Sequence, residues 1–251
     1  SGNTASEEGG GLWNSATGTL TIDGTDILGN TASGPASDQG GGGVFNNGGA
    51  VTVSNSTFIA NDADGAAGQG DALLSVVGGS IDLSNNAIQG SVVVLDGGTL
   101  SFVDGNGDGM LVGGAQADVL NGGGGADTVS AGGGDDPVVG GAGKDDLSGG
   151  DDADLVRGGG GADTLKGGLS DDVLTGNGGA DLFQFAGRHG DDVITDFQLN
   201  RDMIEILNGA DQFEDLSLSG SEDGVLIAFG AASVLLVGVA EDELTAGHFV
   251  F

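Results

Sequence analysis

The sequence predicts an all-β fold, a parallel β-solenoid, and three observations carry that reading. Nine nine-residue units run without a gap from Asp104 to Gln184. Ahead of them, residues 1–103 hold a looser repeat of about 30 residues. Glycine supplies 56 of the 251 residues and only 4% are aromatic, which suits stacked coils around a narrow core better than a globular interior. Three parts are expected: a right-handed parallel β-helix at 1–103, a parallel β-roll at 104–195, and a C-terminal β cap at 196–251.

In the front part, four segments align, beginning at Gly18, Gly49, Gly79 and Gly98. The first three read GTLTIDGTDILGN, GAVTVSNSTFIAN and GSIDLSNNAIQGS; the last, GTLSFVDGNG, follows after a shortened interval. Period-two alternation points Leu20/Ile22, Val51/Val53, Ile81/Leu83 and Leu100/Phe102 inward, with Thr, Ser, Ala and Asp between them facing out. Apolar pairs precede three of these strands, Leu12-Trp13, Val44-Phe45 and Leu73-Leu74, and are read as inward-facing. With Ile27, Phe58-Ile59 and Ile88 after them, each coil is expected to hold three short strands. Asn3, Asn30 and Asn61 recur at equivalent turns, where Asn tolerates the left-handed backbone and can bond a stacked copy. This part resembles the GGG-(I/V/L)-(F/W/Y)-N…N-T-A repeats of bacterial surface-exposed β-helix proteins. Ser1 to Ala5 already sit mid-repeat, so further coils are expected upstream.

The nine units are DGNGDGMLV, GGAQADVLN, GGGGADTVS, AGGGDDPVV, GGAGKDDLS, GGDDADLVR, GGGGADTLK, GGLSDDVLT and GNGGADLFQ. Eight carry Asp at the sixth place; Gly109 stands there in the first. The eighth place is always apolar, from Leu111 to Phe183. Glycines early in each unit meet the demand of a tight loop for positive φ and close backbone approach. The last three residues are β-prone. Loop, strand, loop and strand complete one coil, so a turn takes two units, 18 residues. Disorder explains neither the unbroken period nor the invariant eighth place.

The coiling sorts the aspartates into two files, Asp118, Asp136, Asp154 and Asp172 in one, Asp127, Asp145, Asp163 and Asp181 in the other. Coils stack about 4.8 Å apart, which brings carboxylates to roughly 5 Å. Two such charges repel by about 0.8 kcal/mol in water and about 3 kcal/mol at an effective dielectric of 20. A hard divalent cation between successive loops removes that repulsion through carboxylate and carbonyl oxygens. Ca2+ suits the irregular oxygen cage better than Mg2+. Soft metals are disfavoured: there is no cysteine, and the histidines are His189 and His248 alone. Pairs 118/136, 136/154, 154/172, 127/145, 145/163 and 163/181 give about six sites. GRHGDDVIT, after a two-residue insertion, offers Asp192 as partner to Asp172 for a seventh.

These units resemble the repeats-in-toxin (RTX) nonapeptide. The tail, DDVITDFQLNRDMIEI and GVLIAFGAASVLLVGVAEDELTAGHFVF, reads as strands around turns and is similar to the C-terminal region of that family. It ends apolar, with His248 where an acid is common. The resemblance covers about residues 104–251. It implies one-step type I secretion from a Gram-negative bacterium, on an uncleaved C-terminal signal, into an extracellular or cell-surface location rich in calcium. At cytosolic calcium the aspartate ladder repels itself; outside, binding closes it.

A net charge of −33 disfavours nucleic acid and anionic membranes as direct partners. No stretch approaches the roughly 18 apolar residues of a membrane span. There is no HExxH and no GxSxG. Residues 1–143 contain neither Lys nor Arg, whereas a polysaccharide lyase or epimerase needs a cation near its enolate-like transition state. Outward Thr19, Thr21, Thr52, Thr99 and Ser101 suggest an ice-binding array, but Ala50 and Asp82 interrupt it. The expectation is therefore a non-enzymatic, secreted, calcium-binding structural or cell-surface protein that self-associates or meets cell-surface polysaccharide. The alternative is a polysaccharide-modifying enzyme whose catalytic part lies upstream.

Overall fold

The computed structural model describes residues 4–5, 11–32, 42–47, 49–59, 62–63, 73–76, 80–88, 91–95, 99–104 and 107–251. The chain packs as two compact units, Ser1–Gly132 and Gly133–Phe251.

In the first unit the strand pairing is parallel. Strands Thr19–Asp23, Ala50–Ser54, Ser80–Ile88, Thr99–Asp104 and Val119–Gly124 pair in that order. Leu20 meets Val51, Val51 meets Ile81, and Ile81 meets Leu100, the register that the aligned segments predict. A second sheet runs Leu12–Asn14, Val44–Asn47, Leu73–Val76, Ser91–Leu95, Met110–Val112 and Thr128–Gly133. Asp26–Leu28 pairs with Thr57–Ile59, and Thr4–Ala5, Thr31–Ala32 and Asp62–Ala63 form a narrow third sheet. That last ribbon is a fourth short strand per coil, one more than the hydrophobic pattern shows. It carries too little apolar surface to register there.

Ile22, Ile27, Val44, Val51, Val53 and Phe58 fill the interior of this unit. Trp13 does not join them. Trp13 is 49% exposed and Leu12 38%, so neither residue of the pair expected inward is buried, and the buried residue of that strand is Asn14. Consecutive strand residues face opposite ways, and Trp13 falls on the outer face. The polar rung inside is Asn14 over Asn46, Nδ2 to Oδ1 at 2.9 Å, with Asn46 Nδ2 donating to the Gly49 carbonyl at 2.8 Å. Asn30 is buried but has no positive φ; among the described asparagines of this unit the left-handed one is Asn55, at φ 49°. Asn3 and Asn61 lie outside the described residues.

The second unit repeats the design with shorter coils. Pro137–Ala142, Leu155–Gly160, Val173–Gly178, Asp191–Ile194 and Ala232–Val237 pair in parallel, in that order. Facing them, Asp146–Asp151, Thr164–Gly168, Leu182–Phe185, Met203–Ile206 and Phe249–Val250 do the same. Gly224–Phe229 and Ser217–Gly220 then close the first sheet antiparallel. The side chains at the eighth places, Val138, Leu147, Val156, Leu165, Leu174 and Phe183, are fully buried between the two sheets. Each contributes about 1.5–3 kcal/mol by leaving water. The tail thus packs as a capping sheet on the last coils.

Candidate metal centre

Each aspartate at a sixth place closes a loop just before a strand, where the chain turns from Gly-rich backbone to the buried core. Gly159, at φ 110°, shows why the loop needs glycine: a Cβ there would overlap the Gly141 carbonyl of the preceding coil. Ser170 and Asp152 stand at loop-glycine places and adopt φ of 73° and 70° all the same.

The aspartates join coils in two ways. The N–H of Asp136 donates to Oδ1 of Asp154 at 2.9 Å, that of Asp145 to Asp163 at 2.9 Å, that of Asp154 to Asp172 at 2.8 Å, and that of Asp163 to Asp181 at 3.0 Å. The carbonyl of each of these residues accepts the N–H of the residue following its partner, as Asp154 does from Val173 at 2.9 Å. One carboxylate oxygen per rung is therefore committed to backbone. The other, Oδ2 of Asp154, Asp163, Asp172 and Asp181, is buried and accepts no hydrogen bond. A buried, unsatisfied carboxylate oxygen costs more than a kcal/mol.

Burial pushes the Asp154 carboxyl up to about 7, Asp172 up to about 8 and Asp181 up to about 6, and it raises Asp163 too. The backbone N–H donated to Oδ1 opposes this, and the charge of neighbouring aspartates adds to it. Each of these groups therefore holds its proton to a higher pH than an exposed carboxyl does.

The space beside Oδ2 belongs to the first glycine of the same unit. A methyl group on Gly158 would sit 2.5 Å from Oδ2 of Asp163 and 2.9 Å from the Gly176 carbonyl oxygen of the next coil. Carboxylate and carbonyl oxygens thus converge on a cradle that only glycine leaves clear. Gly158→Ala is expected to weaken calcium binding at the Asp163 rung at least about tenfold, roughly 1.4 kcal/mol. Isothermal titration of the variant against the parent chain checks this, and an unchanged isotherm would refute the cradle.

An all-oxygen donor set fits a hard cation of flexible coordination such as Ca2+. Among the described residues no three His, Cys, Asp or Glu side chains gather about one point. The RTX calcium-binding nonapeptide repeat matches in four copies, at residues 103–136, 131–165, 148–183 and 157–194. These coils are RTX repeats.

Two solved structures are similar over part of the chain. The crystal structure of the extracellular lipase LipA from Serratia marcescens matches at 17% identity and TM-score 0.31, over 64% of this chain and 45% of the lipase. The chain therefore spans less than half of that lipase's length. The solution structure of the AlgE6R3 subunit from the Azotobacter vinelandii mannuronan C5-epimerase matches at 26% identity and TM-score 0.25, over 59% of this chain and 81% of that one. A comparison with curated proteins finds no match.

All nine aspartates expected as ligands are buried: Asp118, Asp127, Asp136, Asp145, Asp154, Asp163, Asp172, Asp181 and Asp192. Asp118 and Asp127 lie in the first unit. Oδ2 of Asp118 accepts the Gly114 N–H at 2.8 Å, and Oδ1 of Asp127 accepts the Gly109 N–H at 2.7 Å. Gly109 thus keeps the backbone link of an RTX rung while lacking its carboxylate. Asp172 and Asp192 do stack, N–H to Oδ1 at 2.9 Å, across the two-residue insertion. Sequence reasoning missed Asp202, which is buried and accepts the Asp181 N–H on Oδ1 at 3.1 Å. Its signal was present: Asp202-Met203-Ile204 keeps the sixth and eighth places three residues late, and Ile204 stacks on Phe183.

Proposed function

We propose that the chain is a secreted, calcium-binding structural or cell-surface-associated protein, part of a surface layer, matrix or adhesin, which folds on binding Ca2+ outside the cell. The observation that supports it most is the row of buried Oδ2 atoms without a donor at Asp154, Asp163, Asp172 and Asp181. Calcium supplies the charge these oxygens lack. The repeat spacing accords with about six ions in residues 104–195. Export by type I secretion from a Gram-negative bacterium accords with a ladder that closes only at extracellular calcium.

RTX repeats are structural calcium-binding motifs. No helix among the described residues is long and apolar enough to cross a membrane. Stacked coils suit assembly, or the spacing of a binding head from a cell.

The chain is expected to sediment with Gram-negative outer surfaces, or to assemble with itself, at millimolar calcium. It is expected to stay in solution with chelator, and to release no product from alginate or pectate. Turnover of either polysaccharide, or sedimentation indifferent to calcium, would overturn the structural reading.

A further inference from the structure

Both aspartate files end on a rung unlike the two immediately before it. In one file Oδ1 of Asp154, Asp172 and Asp192 each accepts the N–H of the aspartate one coil earlier. Oδ2 of Asp154 and Asp172 accepts nothing from the protein. Oδ2 of Asp192 lies 2.7 Å from Nδ1 of His189. In the other file Oδ2 of Asp163 and Asp181 accepts nothing, whereas Oδ2 of Asp202 accepts the Gln198 N–H at 2.8 Å.

The donor at Asp192 is built in rather than incidental. His189 is 1% exposed. Its ring stacks on Phe229 at 4.7 Å and 27°, and lies 5.1 Å from Phe185. Phe185 belongs to the last full coil and Phe229 to the capping hairpin, so the imidazole is clamped between them with little rotamer freedom. His189 is also the third residue of its unit, where Gly133, Ala142, Asp151, Gly160, Leu169 and Gly178 stand in the preceding ones. None of those side chains has an N–H. The coil spacing lengthens at the same level, from 18 residues to 20 before Asp192 and to 21 before Asp202. At Asp192 that extra chain gives the loop room to fold the imidazole onto its own carboxylate.

We propose that His189 stands in for calcium at the Asp192 rung. Its Nδ1–H takes the Oδ2 position that the metal takes on earlier rungs, ends the metal file, and fastens it to the capping hairpin. The 172/192 pair is then a protein-closed rung, not a seventh calcium site. This rests on the calcium ladder proposed above.

The test is calcium stoichiometry of the full chain by equilibrium dialysis, for the parent, Asp192→Asn and Asp172→Asn. Asn keeps the size of Asp and can still accept the backbone N–H on Oδ1. The expected result is an unchanged ion count for Asp192→Asn and at least one ion fewer for Asp172→Asn. If both variants lose an ion, Asp192 is a ligand and the histidine cap is wrong, while the ladder stands. If neither loses one, the ladder itself fails and the cap with it. Should Asp192→Asn not fold, 15N spectra of the calcium-saturated parent decide. A proton on Nδ1 of His189 supports the cap, and an Nδ1 without one overturns it.

Discussion

Removal of calcium is expected to abolish the cooperative fold of the RTX coils. A site held at a hundredfold excess over its Kd adds about 2.7 kcal/mol, and six such sites together add about 16 kcal/mol. A whole domain is normally stable by about 5–15 kcal/mol, so the coils have no reserve from which to absorb that loss. The buried apolar file from Val138 to Phe183 cannot compensate, because it is one residue wide on each sheet. Stripped of metal, the chain should lose most of its far-ultraviolet β signal and its thermal transition. Both should return at millimolar Ca2+ but not at equal Mg2+, whose near-octahedral demand the loop carbonyls do not match. A melt within a few degrees of the calcium-loaded one, in excess chelator, would show that packing alone holds the coils.

The periodic parts of this molecule were legible because their period is the physics. An apolar residue at every eighth place is buried twice per coil, once on each sheet, and the structure buries each of Leu111, Leu120, Val129 and their successors. The 18-residue spacing of the aspartates fixed which carboxylates stack, and the alignment of Leu20, Val51, Ile81 and Leu100 fixed the register of the front coils. What escaped was whatever breaks period or direction. Trp13 is apolar yet outward, since alternation and not hydrophobicity sets the face in a two-sided strand. Asp202 lies three residues out of phase, and His189 fills a third place that carries no ring in the units before it. Nor could spacing alone show that one oxygen of each carboxylate already holds a backbone N–H, which halves what remains for metal.

That division of labour has a consequence for pH. The folded, calcium-free carboxyls of Asp181, Asp154 and Asp172 titrate near 6, 7 and 8, because burial disfavours their charge, against about 3.9 in an unfolded chain. A pKa raised by folding means that the folded state binds more protons. The stability gained this way is fully present below about pH 4 and is lost as pH rises through about 6 to 8. The calcium-free chain should therefore gain β structure on acidification from about pH 8 to about pH 5, the reverse of ordinary acid denaturation. Calcium and protons compete for the same Oδ2 atoms, so apparent calcium affinity at these rungs should fall roughly tenfold per pH unit over that interval. Circular dichroism on metal-stripped protein, paired with calcium titrations at successive pH values, reads both effects. If acid instead lowers the β content of the metal-free chain, or leaves calcium affinity flat, the buried oxygens are not where metal and protons exchange.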